Sequence, residues 1–410
     1  MDVTTPDAQD AVTTAGRALM LVHTGTRRRA ELTRHLGLTR TGGSKVLVEL
    51  ERAGLIEVDD QPQPSGVRGR PSHLVRIAAG APRTLAASIT AREITVGVAA
   101  LGGTVVSAVS EELSTAVTPE AAAQIVSRLA VTVIEPVRLP LCAAGVAIAS
   151  AVDDDGRALA AHYLGWDTSV PMGQVIHDAL AAAGLPLPVV VRNDADCAAL
   201  AEHRHGAGRE AGHLLYLTSA HCGIGGALVT NGQPYRGHRG TGSELSHLTV
   251  NPGGRPCHCG SRGCLNVEAD ATALLHPDAR EVPRGHAGPA LEAAARRVVA
   301  SAAVDPRARE AVTRVADHLA TALTGLVNIL NPDLVILAGL PAELLRSDVV
   351  SLTDMVRAHT LLHVAPLTAA QIDDATLLGA AEYAFDPLLR DPIARLAGHL
   401  GHRGVRPTSG

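Results

Sequence analysis

Aromatic side chains are scarce in this chain of 410 residues, which contains one Phe, one Trp and four Tyr. Its core must therefore be built from Ala, Val and Leu. No apolar run approaches the roughly 18 residues of a membrane span. The acidic start, MDVTTPDAQD, lacks the basic segment and apolar stretch of a secretory signal. We therefore expect a cytosolic protein that has no membrane partner.

A large positive charge is also absent. The formal net charge is −5, which argues against a uniformly basic nucleic-acid coat. The charge is uneven, however, because residues 1–82 contain eleven Lys and Arg against nine Asp and Glu, a net +2 that leaves −7 elsewhere. Since 410 residues are too many for one ordinary domain, we expect a mildly basic head and an acidic body with separate tasks.

Only six cysteines are present, yet Cys257, Cys259 and Cys264 lie together in the segment GRPCHCGSRGCLN. In the cytosol, clustered cysteines are more often metal ligands than disulfides. Thiolates at this spacing suit tetrahedral zinc, and His247 is the best candidate for the fourth ligand. A closed Cys3His site is structural and would hold together a loop that has little apolar material. The alternative is that these cysteines cluster by chance.

The N-terminal region favours a winged helix-turn-helix. A first helix, DAVTTAGRALMLVHTG, precedes two short helices in RRRAELTRHLG and LTRTGGSKVLVELERAGLI, which a turn at Gly37 joins. Thr39 suits the N-cap of the third helix. Val46, Leu50 and Ala53 would form one apolar face of that helix. The second of the two joined helices is the one that reads DNA in this motif.

DNA contacts are expected from two segments of this head. One is the exposed start of the third helix, where Gly42 and Gly43 either allow close approach to phosphate or mark a frayed turn. The other is the tip of a strand–loop–strand, SGVRGRPS, whose arginines suit a minor groove or phosphates. The alternative is a generic helical hairpin with a flexible basic linker. The candidate DNA-binding residues are Arg40, Thr41, Ser44, Lys45, Arg68 and Arg70.

The body alternates strands with helices, which predicts α/β structure in two lobes. A meander near residue 90 and a glycine-rich hairpin near residue 223 suggest an internal duplication. Small molecules usually bind in the cleft between two such lobes. The expected divisions are a winged-helix domain at 1–82, a first lobe at 83–198 that is completed by about 375–395, and a second lobe at 199–374.

Two short motifs are candidates for this cleft. Asn193 and Asp194 follow a buried strand and precede a helix, so the carboxylate could orient a hydroxyl or accept its proton. Alternatively, Asp194 is only a helix N-cap. In HCGIGGAL, Gly223, Gly225 and Gly226 would form a turn whose N–H groups cradle phosphate, although a tight hairpin explains these glycines equally well.

Taken together, these residues resemble the ROK family (repressor, open reading frame, kinase) over nearly the whole chain. The most specific part is the combined signature SELSH…CHCGSRGCL, and NPDLVILAG resembles the family's nucleotide-side motif. The resemblance implies a two-lobed, actin-like (RNase H-like) sugar-kinase fold, preceded by a winged helix in regulatory members. It implies zinc ligands at His247, Cys257, Cys259 and Cys264, the kinase base at Asp194, and sugar contacts at Asn193, Asp194, Glu244 and His247.

The chain departs from ROK kinases at three nucleotide-side elements. The sequence SITAR, residues 88–92, stands where kinases have Asp-x-Gly-Gly-Thr. Side chains there would obstruct the ATP phosphates, and no carboxylate would organise Mg2+. The usual Gly-Thr becomes His221-Cys222, and a double glycine becomes Ala338-Gly339. We therefore expect that kinase activity is lost and that Asp194 is vestigial.

The sugar pocket is altered as well, because Asn266 stands in place of Glu and Tyr163 in place of Asn. We expect a DNA-binding transcriptional regulator, which is most often a repressor in this family, controlled by a sugar or sugar-derived effector. It would contain a structural zinc ion and bind a pseudo-palindromic operator as a homodimer or homotetramer. The alternatives are an ATP-dependent sugar kinase with a vestigial head and a regulator that has lost effector binding.

Overall fold

The structure is a computed structural model that describes residues 12–25, 27–61, 72–137, 139–159, 161–219, 223–276, 289–361 and 365–401. The predicted wing tip with Arg68 and Arg70, and the pair His221-Cys222, lie outside the described residues. Among the described helices, we find none whose length and apolarity would let it cross a lipid bilayer. The fold is α/β, as predicted.

In its described part, the N-terminal unit contains three helices and three short strands, and the strands form an antiparallel sheet in the order β1-β3-β2. Its elements are α1 (Thr14–His23), β1 (Arg27–Arg28), α2 (Arg29–His35), α3 (Arg40–Arg52), β2 (Ile56–Val58) and β3 (Leu74–Ile77). The Thr39 hydroxyl accepts a hydrogen bond from the N–H of Gly42, and Gly37 follows α2 with a φ of +65°. Both caps are therefore confirmed, whereas β1 was not predicted.

The two glycines in α3 have a different explanation from those the sequence suggested. A Cβ atom on Gly43 would lie 2.6 Å from Thr33 Oγ1, so this glycine lets α3 approach α2 closely. Gly42 supplies the N–H that Thr39 caps. The buried face of α3 consists of Gly43, Leu47 and Leu50. The sequence predicted Leu50 correctly, but it placed Val46 on this face where the structure buries Leu47.

The body contains two sheets, each with five strands within the described residues, in the orders β6-β5-β4-β7-β8 and β11-β10-β9-β12-β13. Both orders follow the same 3-2-1-4-5 path, with an antiparallel meander followed by parallel strands, as an internal duplication requires. The first lobe contains β4 (Arg83–Ile89), β5 (Glu93–Ala100), β6 (Thr104–Glu112), α4 (Pro119–Ile134), β7 (Leu141–Ile148), α5 (Met172–Ala182), β8 (Val189–Asn193) and α6 (Asp194–His205).

The second lobe follows directly along the chain, and α13 then returns to contact α6, β4 and β7 of the first lobe. Its elements and the final helices are β9 (His213–Ser219), β10 (Ile224–Thr230), β11 (Gln233–Pro234), α7 (Leu265–Glu268), α8 (Ala271–Leu275), α9 (Pro289–Ser301), α10 (Pro306–Leu330), β12 (Leu334–Ala338), α11 (Leu340–Leu345), α12 (Leu352–Arg357), β13 (Leu367–Ala369), α13 (Ala375–Arg390) and α14 (Pro392–Gly401).

The glycines near β10 have two different structural roles. Asn231 and Gly232 both have positive φ, 52° and 72°, as a type I′ hairpin turn requires. Gly225 and Gly226, by contrast, lie inside β10 and pair with β9, so the predicted phosphate-cradling turn at these two positions is wrong. A Cβ on Gly226 would lie 3.1 Å from the Leu245 side chain, which indicates that close packing requires this glycine.

The head joins the body through a buried polar cluster. His23 Nε2 lies 2.8 Å from Glu382 Oε2 in α13, and the Arg204 guanidinium in α6 lies 3.0 Å from the same oxygen. His205 Nε2 contacts the other oxygen of Glu382 at 3.0 Å. The N–H of Gly102 donates a hydrogen bond to His23 Nδ1. Nε2 of the neutral ring therefore carries the hydrogen and donates a hydrogen bond to the carboxylate of Glu382. We call this set of residues the junction cluster.

Candidate functional site

A cavity of about 360 Å³ lies between the two lobes, and we call it the cleft. Its lining comes from the loop after β7, the start of α6, the start of β10 and the loops on either side of the cysteine segment. The structure brings all the predicted effector-binding residues into this lining: Tyr163, Asn193, Asp194, Glu244, His247 and Asn266.

The start of α6 explains why Asp194 stands in the cleft. Asn193 is the N-cap, because its Oδ1 accepts from the N–H groups of Ala195 and Asp196 at 2.8 and 3.1 Å. The Asn193 amide also donates to the Ser150 carbonyl at 3.0 Å. The alternative that Asp194 is itself the N-cap is therefore wrong. Capping by Asn193 leaves the Asp194 carboxylate at the first turn of the helix, on the cleft wall.

Among the described residues, three carboxyl groups line this cleft, of which Asp196 was not predicted. Burial raises the pKa of Glu244, and the charge on Asp194 raises it further. Burial also raises the pKa of Asp196 to about 7, an effect that the charge of Arg236 opposes. The sequence NDAD could have indicated Asp196, since this residue lies in the same first helical turn as Asp194. Such a set of acceptors suits a ligand rich in hydroxyl groups.

The two residues that were expected to alter a sugar pocket, Asn266 and Tyr163, bind each other. Asn266 Nδ2 lies 2.6 Å from Tyr163 Oη, and Asn266 Oδ1 accepts from the N–H of Ile224 at 2.8 Å. A Cβ on Gly223 would collide with both side chains. Asn266 therefore has its carbonyl committed to the backbone, and one of its amide hydrogens is committed to the tyrosine.

The four predicted zinc ligands converge on one wall of the cleft. The candidate ligand atoms of His247, Cys257, Cys259 and Cys264 all lie within 4.8 Å of one another. Zinc at 2.3 Å from sulfur and 2.0–2.1 Å from nitrogen requires S···S edges of about 3.8 Å and S···N edges of about 3.6 Å. The structure has 3.7 Å between the sulfurs of Cys259 and Cys264, and 3.6 Å between Cys257 Sγ and His247 Nδ1. The donor set therefore fits a tetrahedral zinc ion.

The surroundings of this cluster are consistent with a structural metal. The apolar contacts of the cysteine loop form a small cluster of Cys257, Cys264 and Val267, which is little material to fix a loop. With four protein ligands, a bound zinc ion would have no open position for water. If zinc were held by His247 Nδ1, the atom that lies 3.6 Å from Cys257 Sγ, Nε2 of the same ring would remain for a ligand in the cleft. Sequence reasoning missed His258, whose ring lies edge-on to Tyr163 at 4.9 Å.

The nucleotide side of the cleft differs from that of a phosphate-binding site. In the turn between β4 and β5, the Thr90 hydroxyl accepts from the N–H groups of Arg92 and Glu93 and donates to the Glu93 carbonyl. The threonine is therefore committed to its own turn, and this turn contains neither glycine nor aspartate. Gly339, with a φ of +60°, allows close approach to the Ser219 carbonyl at the start of α11.

The predicted DNA-binding residues on α3 differ in exposure. Arg40, Thr41 and Lys45 are exposed, while Ser44 is half-buried. The Ser44 hydroxyl donates to the Arg40 carbonyl and accepts from the Arg29 guanidinium. The start of α3 thus presents three side chains outward, and Ser44 connects it to α2.

These observations define a two-lobed, actin-like α/β protein with an interlobe cleft and a Cys3His cluster on the cleft wall. The sequence model of the ROK family matches residues 85–386. The chain therefore belongs to the ROK family. The family contains both enzymes and regulators, and the similar proteins include both kinds.

A glucokinase of Thermotoga maritima is 38% identical over 159 residues, covering 37% of this chain and 50% of that protein. A putative xylose repressor of Caldicellulosiruptor sp. is 31% identical over 210 residues, covering 49% of this chain and 51% of the repressor. The chain thus matches about half the length of these relatives. The crystal structure of a ROK family transcriptional regulator, a homologue of the E. coli MLC protein, matches with a TM-score of 0.72 at 21% identity, covering 94% of this chain and 98% of that one. This last likeness shows the shared fold.

Proposed function

We propose that this chain is a DNA-binding transcriptional repressor of the ROK family, whose operator affinity responds to a sugar or sugar-derived effector in the cleft. The observation that carries the proposal is the N-terminal unit, in which α2 and α3 are joined by a short turn and Arg40, Thr41 and Lys45 are exposed at the start of α3. In a helix-turn-helix protein, this part of the second helix contacts base edges. The similarity to a xylose repressor supports the same function.

The rest of the head supports a second contact with DNA. β2 and β3 form an antiparallel hairpin, and Arg68 and Arg70 lie in the sequence between them. An arginine-tipped wing of this kind contacts phosphates or the minor groove. As a homodimer or homotetramer in the cytosol, the protein would place two recognition helices on a pseudo-palindromic operator.

The cleft chemistry favours a polyhydroxylated effector. The carboxylates of Asp194 and Glu244 accept hydrogen bonds from sugar hydroxyls, and His247 contributes Nε2. Tyr163 makes that end of the cleft bulkier than the family's usual asparagine would. Asn266 stands where the family usually has a glutamate, so one carboxylate is missing from that end. The effector class is therefore a sugar or sugar derivative whose hydroxyl pattern differs from that of glucose.

Helix α6 provides a physical connection between effector and head. It begins at the cleft, where Asn193 caps it, and ends at Arg204 and His205 in the junction cluster. Twelve residues of α-helix span about 18 Å. An effector that favours one position of this helix would favour one arrangement of the head and so shift operator affinity.

Sugar kinase activity is the second candidate, because Asp194 stands in the cleft and a glucokinase is among the relatives. Against it, the turn at residues 88–92 has no carboxylate to organise Mg2+ and no glycine to admit phosphates. A coupled ADP-release assay over hexoses and amino sugars separates the two functions. We expect no turnover in this assay.

The test of the regulator is fluorescence anisotropy of the full chain on DNA from upstream of its own gene, with scrambled DNA as reference. We expect selective binding that one compound of a sugar panel changes. Lys45→Ala and Arg70→Ala should each weaken binding and lower the log–log salt slope by about 0.9. Arg297→Ala, which removes an exposed arginine of α9, is the matched control and should change neither. Absence of selective binding, together with ADP release that Asp194→Ala abolishes, would favour the kinase.

A further inference from the structure

A second cavity of about 350 Å³ lies between the end of β8, the middle of α6, β11 and the second half of α13. Among the described residues, it shares none of its lining with the cleft. Its volume falls within the range of small-molecule sites. We call it the arginine cavity, because its lining includes Arg192, Arg204, Arg236 and Arg390, together with Tyr383 and Asp386.

Three polar groups on residues of this lining are buried without a partner. Arg192 Nε, Arg236 Nε and Tyr383 Oη are shielded from solvent, and the described part of the chain offers none of them a hydrogen bond. Buried donors are almost always paired in folded proteins, so each exception requires an explanation. Three exceptions around one cavity point to a ligand that supplies acceptors.

The charge of Arg192 is poorly compensated. Its guanidinium carbon lies 5.4 Å from the centre of the Tyr383 ring, and Nη1 donates to the Val191 carbonyl. Both of these contacts are with uncharged groups. Burial lowers the pKa of Arg192, and the charge of Arg236 lowers it further. A buried cation beside another cation is stable only where a negative charge offsets it.

The carboxylates around the cavity are mostly committed to other arginines. Asp386 binds Arg204 Nη2 at 2.8 Å and Arg390 Nε at 2.7 Å. Arg204 is also bound by Glu382, at 3.0 Å, so two carboxylates together offset the charges of Arg204 and Arg390. The positive charge that remains belongs to Arg192 and Arg236.

Two further acidic groups act on this pair without balancing it. Arg236 Nη1 lies 3.1 Å from Asp154 Oδ1, but the Asp154 side chain is 61% exposed, which weakens the interaction through solvent screening. Asp196 interacts with both arginines, yet it lines the cleft, and burial raises its pKa to about 7. At neutral pH its charge is thus only partial.

We propose that the arginine cavity is a second ligand site, which binds a small metabolite carrying a phosphate or carboxylate group. Arg192 and Arg236 donate to the oxyanion through planar guanidinium groups, which match such groups geometrically, and Tyr383 donates its hydroxyl. The site is also connected to the head, since Arg204 of its lining binds Glu382 Oε2, and His23 of the head contacts the same oxygen. An anion here is positioned to act on the same helices as an effector in the cleft.

Isothermal titration calorimetry on the full-length, zinc-loaded protein tests this proposal. Inorganic phosphate and citrate are titrated separately at an ionic strength held constant with sodium chloride, so that the two oxyanion sources are distinguished. We expect saturable binding of at least one of them. Arg192→Gln should weaken that binding by about tenfold or more, the loss expected for one hydrogen bond to a charged group.

Tyr383→Phe keeps the test decisive if Arg192→Gln fails to fold. The hydroxyl that it removes has no partner among the described residues, so the thermal unfolding midpoint of the ligand-free protein should not fall, whereas anion binding should weaken. Arg297→Gln, on the exposed face of α9, should bind like the wild type. The proposal is overturned if neither anion binds saturably, or if Tyr383→Phe and the folded Arg192→Gln protein bind as the wild type does.

Discussion

Asn266 and Tyr163 are 103 residues apart in the chain and are joined across the cleft by a hydrogen bond of 2.6 Å. Asn266 belongs to the second lobe, and Tyr163 belongs to the loop after β7 in the first. The two residues that were expected to alter a sugar pocket therefore form one contact. The bond joins the two lobes and, at the same time, occupies an amide of a residue that lines the cleft.

Removing the tyrosine hydroxyl should change both stability and selectivity. Tyr163→Phe loses one neutral hydrogen bond, so the free energy of unfolding should fall by about 1 kcal/mol. The Asn266 amide would then be free to donate to an effector hydroxyl, and the rank order of a sugar panel should change. Urea unfolding and ligand-induced shifts of the thermal midpoint measure the two effects. Tyr235→Phe alters an exposed ring and should behave as the wild type, and an unchanged rank order in Tyr163→Phe would contradict this role.

The cysteine loop should bind one zinc ion per chain. Because metal binding stabilises only the folded loop, Cys264→Ser should lose the metal and lower the thermal unfolding midpoint by roughly 5 °C or more. Metal analysis of purified protein and thermal unfolding with and without a chelator provide the readouts. Cys142→Ala, in β7 and outside the ligand set, should keep the metal and respond to a chelator as the wild type does. A zinc content well below one equivalent in the wild type would refute the site.

The junction cluster should make the protein less stable in mild acid. Burial lowers the pKa of His23 even though Glu382 opposes the shift. The folded state thus keeps His23 neutral, while the unfolded chain binds a proton near pH 6.5. Stability from His23 is therefore complete above that pH and is lost as the pH falls toward the lower folded pKa.

Glu382 extends this loss to lower pH. Burial alone would raise its pKa, but His23, His205 and Arg204 bring it well below the usual range. Its contribution is therefore present above about pH 4.5 and is lost below it. The measurement is the free energy of unfolding in urea at pH 8 and pH 5.5, with saturating zinc. His23→Gln keeps a donor for Glu382 but does not titrate, so its decrease should be smaller than that of the wild type.

A matched substitution distinguishes this effect from general titration. His35 in α2 is exposed, so His35→Gln should decrease in stability between the two pH values as much as the wild type does. An equal decrease in His23→Gln and the wild type would show that His23 does not carry the effect.

Local patterns were sufficient for most of the elements, although β1 was missed, and for the convergence of the four candidate metal ligands. Caps such as Thr39 act within one turn, and the cysteines of a loop meet because the loop is short. The position of Asn193 and Asp194 at the cleft also follows from local sequence, since a strand ends where a helix begins. These positions could be predicted because the groups that fix them are neighbours in the chain.

The remaining features depend on contacts between distant segments. His23 and Glu382 are 359 residues apart, and Arg192 meets Tyr383 only after α13 returns to the first lobe. The phosphate-cradling alternative for Gly226 failed for a similar reason, since one of the side chains that a Cβ there would meet, Leu245 at 3.1 Å, comes from a separate loop. A composition or spacing rule contains no information about such pairs.

The two neighbouring glycines of α3 should respond oppositely to alanine. Gly43→Ala would place a Cβ atom 2.6 Å from Thr33 Oγ1, and relieving this overlap must separate α2 from α3. Overpacking of this kind costs about 1–3 kcal/mol. Gly42→Ala meets Thr39 Oγ1 at 3.3 Å, and the alanine gains up to about 1 kcal/mol of helix propensity.

Urea unfolding of the two variants, followed by anisotropy on the operator, separates packing from DNA contact. We expect Gly42→Ala to be at least as stable as the wild type and Gly43→Ala to be less stable and to bind DNA more weakly. If Gly43 instead served phosphate approach, Gly43→Ala would lose DNA affinity while keeping its full free energy of unfolding. That result would contradict the packing role, because the overlap with Thr33 acts whether or not DNA is present.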